Sequence, residues 1–288
     1  MKKFLKILGW SILILIILAV SGMALFIYKI KNGFPVSYET TIPSINFPKE
    51  QPAILLFSKS TGFRHSESIE AGKKSFDDLA RKNNWFIYST EEGGVFNKEQ
   101  LSRFDVVIFN NCTGRLLNPT QQETLQNYVL QGGNWIGIHG AGDNSHRWDW
   151  YDENLVSAKF SHHALKKHIQ EADVVLNHDA DSLLIKDLSP GWKQSDEWYV
   201  FFNNPQTKGA NILYTIDGDK IDPDGNILWI KDKNFGMGKN HPVAWYKNVG
   251  KGTSYYTSMG HDSAAWQQSA FINMLETEIK ISIKNRHQ

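Results

Sequence analysis

Short apolar runs separated by amphipathic segments are the feature that most restricts how this chain can fold. Four such runs recur about every 25 residues, at 53–57, 85–88, 105–110 and 135–138. Segments 67–82 and 119–131 lie between them, with their apolar side chains on one helical face. Continuous apolar runs are typical of parallel strands buried on both faces. The sequence therefore predicts an α/β fold with a doubly wound, mostly parallel sheet of the flavodoxin-like type.

The second half of the chain is less regular. Further strands are predicted by the runs at 172–176, 197–202 and 212–216. Segments 243–246 and 253–257 form a predicted hairpin, and an amphipathic helix over 263–281 closes the domain.

The amino terminus carries a long apolar segment. Residues 7–28 contain no charge, which is about the length that a bilayer core requires. Lys2, Lys3 and Lys6 precede it, so the positive-inside rule places the amino terminus in the cytoplasm. A cleaved signal peptide is the alternative, but the run exceeds the roughly 7–15 apolar residues of such peptides. We predict a transmembrane signal-anchor at 1–31, a linker at 32–51, and an exported domain at 52–288, in the periplasm or outside the cell.

Composition excludes some classes of function. The net charge of +1 argues against a nucleic-acid partner, which needs a basic face. Cys112 is the only cysteine, so neither an intramolecular disulfide nor a thiolate metal cluster can form. The 10 Trp, 10 Tyr and 16 Phe suit a sugar-binding site, and they suit a core equally well.

The stretch 132–143, GGNWIGIHGAGD, is the strongest candidate for a functional element. A buried strand ends there in a tight glycine-rich turn, and open α/β sheets bind ligands beyond the carboxyl ends of their strands. Hydrolases of this architecture present a nucleophile on such a turn. Here the residue is His139, which suits a base or a ligand better than a covalent nucleophile.

Other polar and aromatic residues also follow predicted strands, and five of these groups contain histidine. Histidine acts as a general acid or base near neutral pH, or binds zinc. No HExxH motif is present, so a metal site would have to be assembled from distant loops. Cys112 follows the third predicted strand and does not lie on the glycine-rich turn that carries His139, so a cysteine hydrolase is only a lesser alternative. The candidates are Arg64, His65, Asn111, Thr113, His139, Asp143, Trp148, Trp150, His163, Glu197, His241 and His261.

These motifs together resemble the ThuA-like, or trehalose-utilisation, family. The matching elements span 53–283 in order and are GFRH, FDVVIFNNCTG, GGNWIGIHGAGD, WDWY, AKFSHHA, DEWY, HPVAW and YYTSMGH. The resemblance implies a class I glutamine amidotransferase-like domain without its cysteine nucleophile, and a role in disaccharide or keto-sugar catabolism. The chain departs from the family pattern at Cys112, at Ala164, and at Asp179 and Ala180, so His178 is not a substitute for the missing family histidine.

The prediction is a membrane-anchored ThuA-like protein that acts on trehalose or a 3-keto-glycoside. His139, His65, Glu197 and Asp143 are the predicted catalytic groups, by acid–base or metal-assisted chemistry. A divalent metal such as zinc, if used, would be bound among His65, His139, His163 and His261. The predicted substrate-binding residues are Arg64, Asn111, Thr113, Trp148, Trp150, His163, His241 and His261. The alternative is a non-catalytic carbohydrate-binding or scaffold module.

Overall fold

The computed structural model describes residues 2–32, 36–177 and 186–287. The chain divides into two units, one ending at Ser37 and one beginning at Tyr38. The first unit contains helix α1 (Lys2–Asn32). Its window Lys6–Leu25 has a mean hydropathy of 2.5 and is long and apolar enough to cross a membrane, a property that signal sequences share.

The strands of the second unit are β1 Ala53–Phe57, β2 Phe86–Thr90, β3 Val106–Asn110, β4 Asn134–Ile138, β5 Phe160–His162, β6 Gln170–Leu176, β7 Gly191–Asp196, β8 Val200–Phe201, β9 Asn211–Asp217, β10 Asn240–Val249 and β11 Gly252–Thr257. Nine of them form one large sheet, and β5 pairs with β8 in a separate two-stranded sheet. The order in the large sheet is β2-β1-β3-β4-β11-β10-β9-β6-β7. The first five strands pair in parallel, in the 2-1-3-4-5 order of flavodoxin-like folds, and the remaining pairings are antiparallel. The helices are α2 Ser66–Asn83, α3 Lys98–Leu101, α4 Pro119–Leu130, α5 Asp149–Tyr151 and α6 Ser269–Arg286.

Two apolar cores cover the two faces of the parallel strands. In β1, Leu55 and Phe57 belong to one core, which also contains side chains of α4. Ile54 and Leu56 belong to the other, which contains side chains of α2 and α6. Because successive side chains of a strand point to opposite faces, a strand buried on both faces must be apolar throughout. The predicted α/β class and the parallel strand set are confirmed.

Residues 38–51, which the sequence predicts as part of a linker, pack against the domain in the structure. Glu39 forms an ion pair with Lys59, and its carbonyl oxygen accepts a hydrogen bond of 2.7 Å from the Gln121 amide. The Phe47 ring packs edge-on against Phe104 at 4.9 Å. The proline-containing segment thus lies along the domain, because it has its own apolar and charged contacts there. The predicted departure at 178–180 lies outside the described residues.

Glu278 of α6 provides a test of the core through pH. Its carboxyl group is buried, one oxygen has no described hydrogen-bond partner, and burial raises its pKa to about 8. The pKa of Glu278 is higher in the folded state than in the unfolded state. The free energy of unfolding therefore falls as the pH rises from about 4.5 to 8, because the buried carboxyl group has to lose its proton. We expect Glu278→Gln to match the wild type at pH 5. At pH 8 we expect it to be more stable, by on the order of a few kcal/mol.

Thermal unfolding of the full chain in lipid nanodiscs at the two pH values measures this difference. Glu123→Gln, at an exposed position of α4, is the matched control and should leave the pH dependence unchanged. Equal stability of Glu278→Gln and wild type at pH 8 would show that this carboxyl is not held protonated.

Candidate functional site

Four titratable side chains converge beyond the carboxyl ends of the sheet strands. His65 follows β1, His139 follows β4, His261 follows β11, and Glu197 follows β7. One potential ligand atom from each lies within 4.8 Å of the others. We call this group the histidine cluster. It lies where open α/β sheets bind ligands.

Three atoms of the histidine cluster have the spacing of metal ligands. His139 Nε2 lies 3.1 Å from His261 Nδ1. Glu197 Oε2 lies 3.5 Å from the first and 3.4 Å from the second. In a tetrahedral zinc site with bonds of about 2.0–2.1 Å, the ligand atoms are about 3.3–3.4 Å apart. The three groups therefore fit three corners of such a site.

Hydrogen bonds determine which nitrogens of the cluster carry lone pairs. His139 Nδ1 lies 2.7 Å from the carbonyl oxygen of Ser258, which can only accept, so Nδ1 carries the proton. Its Nε2 then carries a lone pair directed at the cluster, which is the usual arrangement of a zinc-binding histidine. His65 Nδ1 is buried and has no hydrogen-bond partner among the described residues. Such a nitrogen costs about 1–3 kcal/mol unless a ligand satisfies it.

Burial and neighbouring groups favour the neutral form of His65 and the ionised form of Glu197, whereas His261 would have to release a proton to bind an ion. Burial, together with the nearby His139 and His261, lowers the pKa of His65 to about 2. Burial acts to raise the pKa of Glu197, but the neighbouring His139, His261 and His163 outweigh it and bring the pKa below its usual value. Burial acts to lower the pKa of His261, whereas its hydrogen bond with Glu197 raises it, and the net pKa is raised. An ionised carboxylate and a neutral His65 are the forms that bind a cation or its ligands.

The turn after β4 has the sharp geometry that the sequence predicts for 132–143. His139 has a φ of 45°, a left-handed conformation that is strained for most non-glycine residues. Glycines follow where side chains would collide, since a Cβ at Gly142 would lie 2.4 Å from the Tyr256 ring. The ring of Tyr199 packs against His139 at 4.3 Å. These contacts hold the imidazole at the centre of the cluster.

Asp196 is a positioning residue that the sequence interpretation missed. Its buried carboxylate accepts backbone hydrogen bonds from Gly260 at 2.8 Å, His261 at 3.0 Å and Glu197 at 2.9 Å. The Gln194 side chain donates a fourth, at 3.0 Å. Burial raises the pKa of Asp196. One carboxylate thus fixes the backbones of two cluster residues, and its place beside Glu197 in DEWY was the available signal.

The side chain of Asn111 joins helix α2, the turn after β4 and the loop after β11. Its side-chain nitrogen donates to Ser68 Oγ at 2.8 Å and to the Gly260 carbonyl at 3.2 Å. Its side-chain oxygen accepts from the Gly140 amide at 3.3 Å. These contacts use the side chain within the protein, which favours a positioning role over the predicted substrate contact.

His163 lies next to the cluster on the other side of Glu197. Its Nδ1 is 3.2 Å from Glu197 Oε1 and 3.0 Å from the carbonyl oxygen of Ala164. Because both neighbours are acceptors, Nδ1 carries the proton and Nε2 keeps a lone pair. The side chain is 31% exposed. A histidine oriented by a carboxylate in this way is suited to proton transfer.

Two predicted substrate-binding residues make contacts within the protein. Arg64 forms a two-pronged ion pair with Glu91, at 2.9 and 2.7 Å, and the hydrogen bond with Glu91 raises its pKa. Thr113 donates its hydroxyl to the Phe63 carbonyl at 2.5 Å. Both contacts shape the loops around His65.

Asp143 and His241 also have structural partners. Asp143 accepts a hydrogen bond from the Ser145 backbone at 2.9 Å, and burial raises its pKa. Buried His241 has its Nε2 2.9 Å from the Tyr199 carbonyl, and burial lowers its pKa to about 4. His241 therefore supports the residue that packs on His139.

Trp148 and Trp150 were predicted to stack on a sugar. In the structure their rings stack on each other at 5.5 Å, and Trp148 stacks on Tyr151. Among the described ring contacts, neither reaches the histidine cluster, so these contacts favour a role in packing over the predicted contact with a sugar.

Cys112 is fully buried, donates to the Phe57 carbonyl at 3.1 Å, and has a pKa raised by burial. This environment argues against the cysteine hydrolase alternative.

The fold and the cluster define a mixed α/β protein with a histidine–carboxylate site at the carboxyl ends of its strands. The family model for ThuA, described as trehalose utilisation, matches residues 53–280, and the chain belongs to that family. The resemblance read from the sequence is confirmed. The comparison with curated proteins finds no match.

Solved structures with the same fold include ThuA-like proteins. One from Bacteroides uniformis is 18% identical with a TM-score of 0.64, covering 85% of this chain and 93% of that one. One from Parabacteroides merdae is 16% identical with a TM-score of 0.59, covering 81% and 90%. A cytoplasmic protein from Salmonella typhimurium is 11% identical with a TM-score of 0.54, covering 80% and 98%. At these identities the likeness shows the fold alone.

Proposed function

We propose that this ThuA-family chain is a metal-dependent enzyme that acts on a carbohydrate. His139, His261 and Glu197 would bind a divalent ion, with zinc the best fit to two imidazoles and a carboxylate. The observation that carries this proposal is their 3.1–3.5 Å spacing beside the unpaired, buried Nδ1 of His65. Three protein ligands leave a fourth position for an oxygen of water or substrate, as in catalytic zinc sites.

The remaining residues of the site divide the other tasks. Zinc held by His139, His261 and Glu197 would supply Lewis-acid polarisation of a carbonyl or hydroxyl oxygen. His65 stays neutral at a pKa of about 2, so it is suited to hold an oxygen by hydrogen bonding and not to take its proton. His163 is suited to accept or return a proton through Nε2, because Glu197 and Ala164 orient its other nitrogen.

The family description supports a sugar related to trehalose, with an oxidised 3-keto-glycoside as the substrate class. A keto oxygen is the kind of atom that a Lewis acid polarises. The apolar α1 supports export of the domain with α1 as a membrane anchor. We also propose that the domain has a class I glutamine amidotransferase-like fold.

The test uses the full chain in lipid nanodiscs, loaded with one equivalent of zinc. We expect 3-keto-trehalose to be consumed, activity to be lost after chelation, and activity to return when zinc is restored. Product analysis by mass spectrometry, with trehalose as the parallel substrate, measures the conversion. Binding of either sugar without turnover would contradict the proposal and support a non-catalytic carbohydrate-binding module.

A further inference from the structure

Phe63 is an exposed aromatic residue in direct contact with the histidine cluster. It lies in the connection between β1 and α2 and is 70% exposed. Its ring packs edge-on against His65, with ring centres 4.8 Å apart and an interplanar angle of 80°. The ring centre of His65 is in turn 4.8 Å from that of His139 and 5.1 Å from that of His261. No more than the width of one imidazole ring therefore separates Phe63 from two of the proposed zinc ligands.

The backbone that carries Phe63 is fixed to the loop that follows β3. The Thr113 hydroxyl donates to the Phe63 carbonyl oxygen at 2.5 Å. The Thr113 carbonyl oxygen accepts from the amides of Thr61 and Gly62, at 2.8 and 3.3 Å. A Cβ at Gly62 would lie 3.2 Å from Thr113 Oγ1, so the two loops are in close contact there. The exposed ring thus extends from a backbone that the fold holds in place.

The polar side chains next to Phe63 in the sequence are used within the protein. The Thr61 hydroxyl donates to the Arg115 carbonyl oxygen at 3.2 Å. The Arg64 guanidinium binds both carboxylate oxygens of Glu91, at 2.9 and 2.7 Å. The ring of Phe63 is therefore the part of this segment that can meet a ligand at His65.

The position of Phe63, more than its exposure, indicates a role in binding. Single exposed apolar side chains are common on protein surfaces, but this one contacts a residue of the site. The face of an aromatic ring is slightly negative, and the carbon-bound hydrogens on one face of a pyranose ring are slightly positive and apolar. A pyranose that stacks in this way keeps its oxygens at the rim of the ring, where they can meet polar groups such as the histidine cluster.

We propose that Phe63 binds the substrate by stacking on the carbon-bound hydrogens of a pyranose ring that lies at the histidine cluster. The proposal rests on the proposed function, because it needs a sugar to be bound there. It assigns to Phe63 the contact that the sequence predicts for Trp148 and Trp150, whose rings stack on each other. The substrate class is then a pyranoside with one open face, which the rings of trehalose and its 3-keto derivative can supply.

The experiment measures turnover of 3-keto-trehalose and calorimetric binding of trehalose by the zinc-loaded full chain in lipid nanodiscs. We expect Phe63→Ala and Phe63→Leu to raise the KM and to weaken trehalose binding about three- to tenfold, because both remove the aromatic face. The kcat should stay within about twofold of the wild type, since stacking holds substrate and transition state alike. Phe63→Tyr keeps the ring and should retain the wild-type values. Trp229→Ala, at an 83% exposed aromatic residue between β9 and β10, is the matched control and should change neither value.

Two results for Phe63 variants would overturn the proposal while leaving the metal chemistry intact. One is wild-type KM and trehalose affinity in Phe63→Ala or Phe63→Leu. The other is a lower kcat in Phe63→Ala with trehalose affinity unchanged, which would show that Phe63 only supports His65. Trehalose binding that depends on Phe63, without turnover of 3-keto-trehalose by the wild type, would support the stacking role and contradict the proposed enzyme. A wild type that binds neither sugar would overturn both proposals.

Discussion

His139→Asn is expected to lose zinc that the wild type retains. The substitution removes the Nε2 lone pair that lies 3.1 Å from His261 Nδ1. Loss of an outer partner of a metal ligand alone lowers affinity about 10–100-fold, so loss of the ligand should lower it at least about 100-fold. Asparagine is among the residues that tolerate positive φ, so the turn at a φ of 45° should persist.

Zinc per chain is measured by elemental mass spectrometry after dialysis against a competing chelator, with circular dichroism to check the fold. His287→Asn, at an exposed histidine of the carboxyl terminus, is the control and should retain zinc as the wild type does. An unchanged zinc affinity in His139→Asn would show that the cluster is a hydrogen-bonding network and not a metal site.

Asp196→Asn is expected to lower both stability and zinc affinity. The new side chain keeps one acceptor oxygen, so its NH2 group faces either the backbone N–H of Gly260 or those of Glu197 and His261, where a carboxylate oxygen accepted hydrogen bonds. Buried polar groups left unpaired cost about 1–3 kcal/mol each, so a total loss of about 2–4 kcal/mol is expected. Zinc affinity should fall about tenfold or more, because either orientation of the amide removes a hydrogen bond that fixes the backbone at His261 or at the preceding Gly260.

Leu125→Ala in α4 separates this positioning role from general destabilisation. Leu125 is fully buried, so its truncation should cost a similar 2–5 kcal/mol, roughly, without touching the cluster. Zinc affinity is compared at a temperature where all three proteins are folded. If Asp196→Asn binds zinc as tightly as Leu125→Ala does, Asp196 stabilises the domain without positioning the site.

The parallel half of the fold was predictable because each element carries a consistent local signal. α4 begins at Pro119 as expected, since proline suits the first turn and Asn118 and Gln121 form a capping box. β7 was missed, because GWKQSD at an edge of the sheet has neither apolar alternation nor β-branched residues. The predicted strand at 197–202 is reduced to Val200–Phe201, which leaves Glu197 in the connection where it reaches the cluster.

The site was predictable in its histidines and less so in its supporting residues. His65, His139 and His261 follow strands whose carboxyl ends meet at one edge, so sequence order alone brings them together. The roles of Asp196 and Asn111 depend on hydrogen bonds between loops distant in sequence, which no local pattern encodes. The same holds for the ring contacts of Trp148 and Trp150 with each other and with Tyr151.

The distribution of the cluster along the chain has a consequence for assembly. His65 follows the first strand and His261 follows the last strand of the sheet, so no partial segment contains the whole site. An ion would therefore have little affinity for an unfinished domain and full affinity for the finished one. Zinc bound in this way would not guide folding. It would instead stabilise the folded domain by mass action, because an ion can bind only after the loops that follow the first and the last strand lie together.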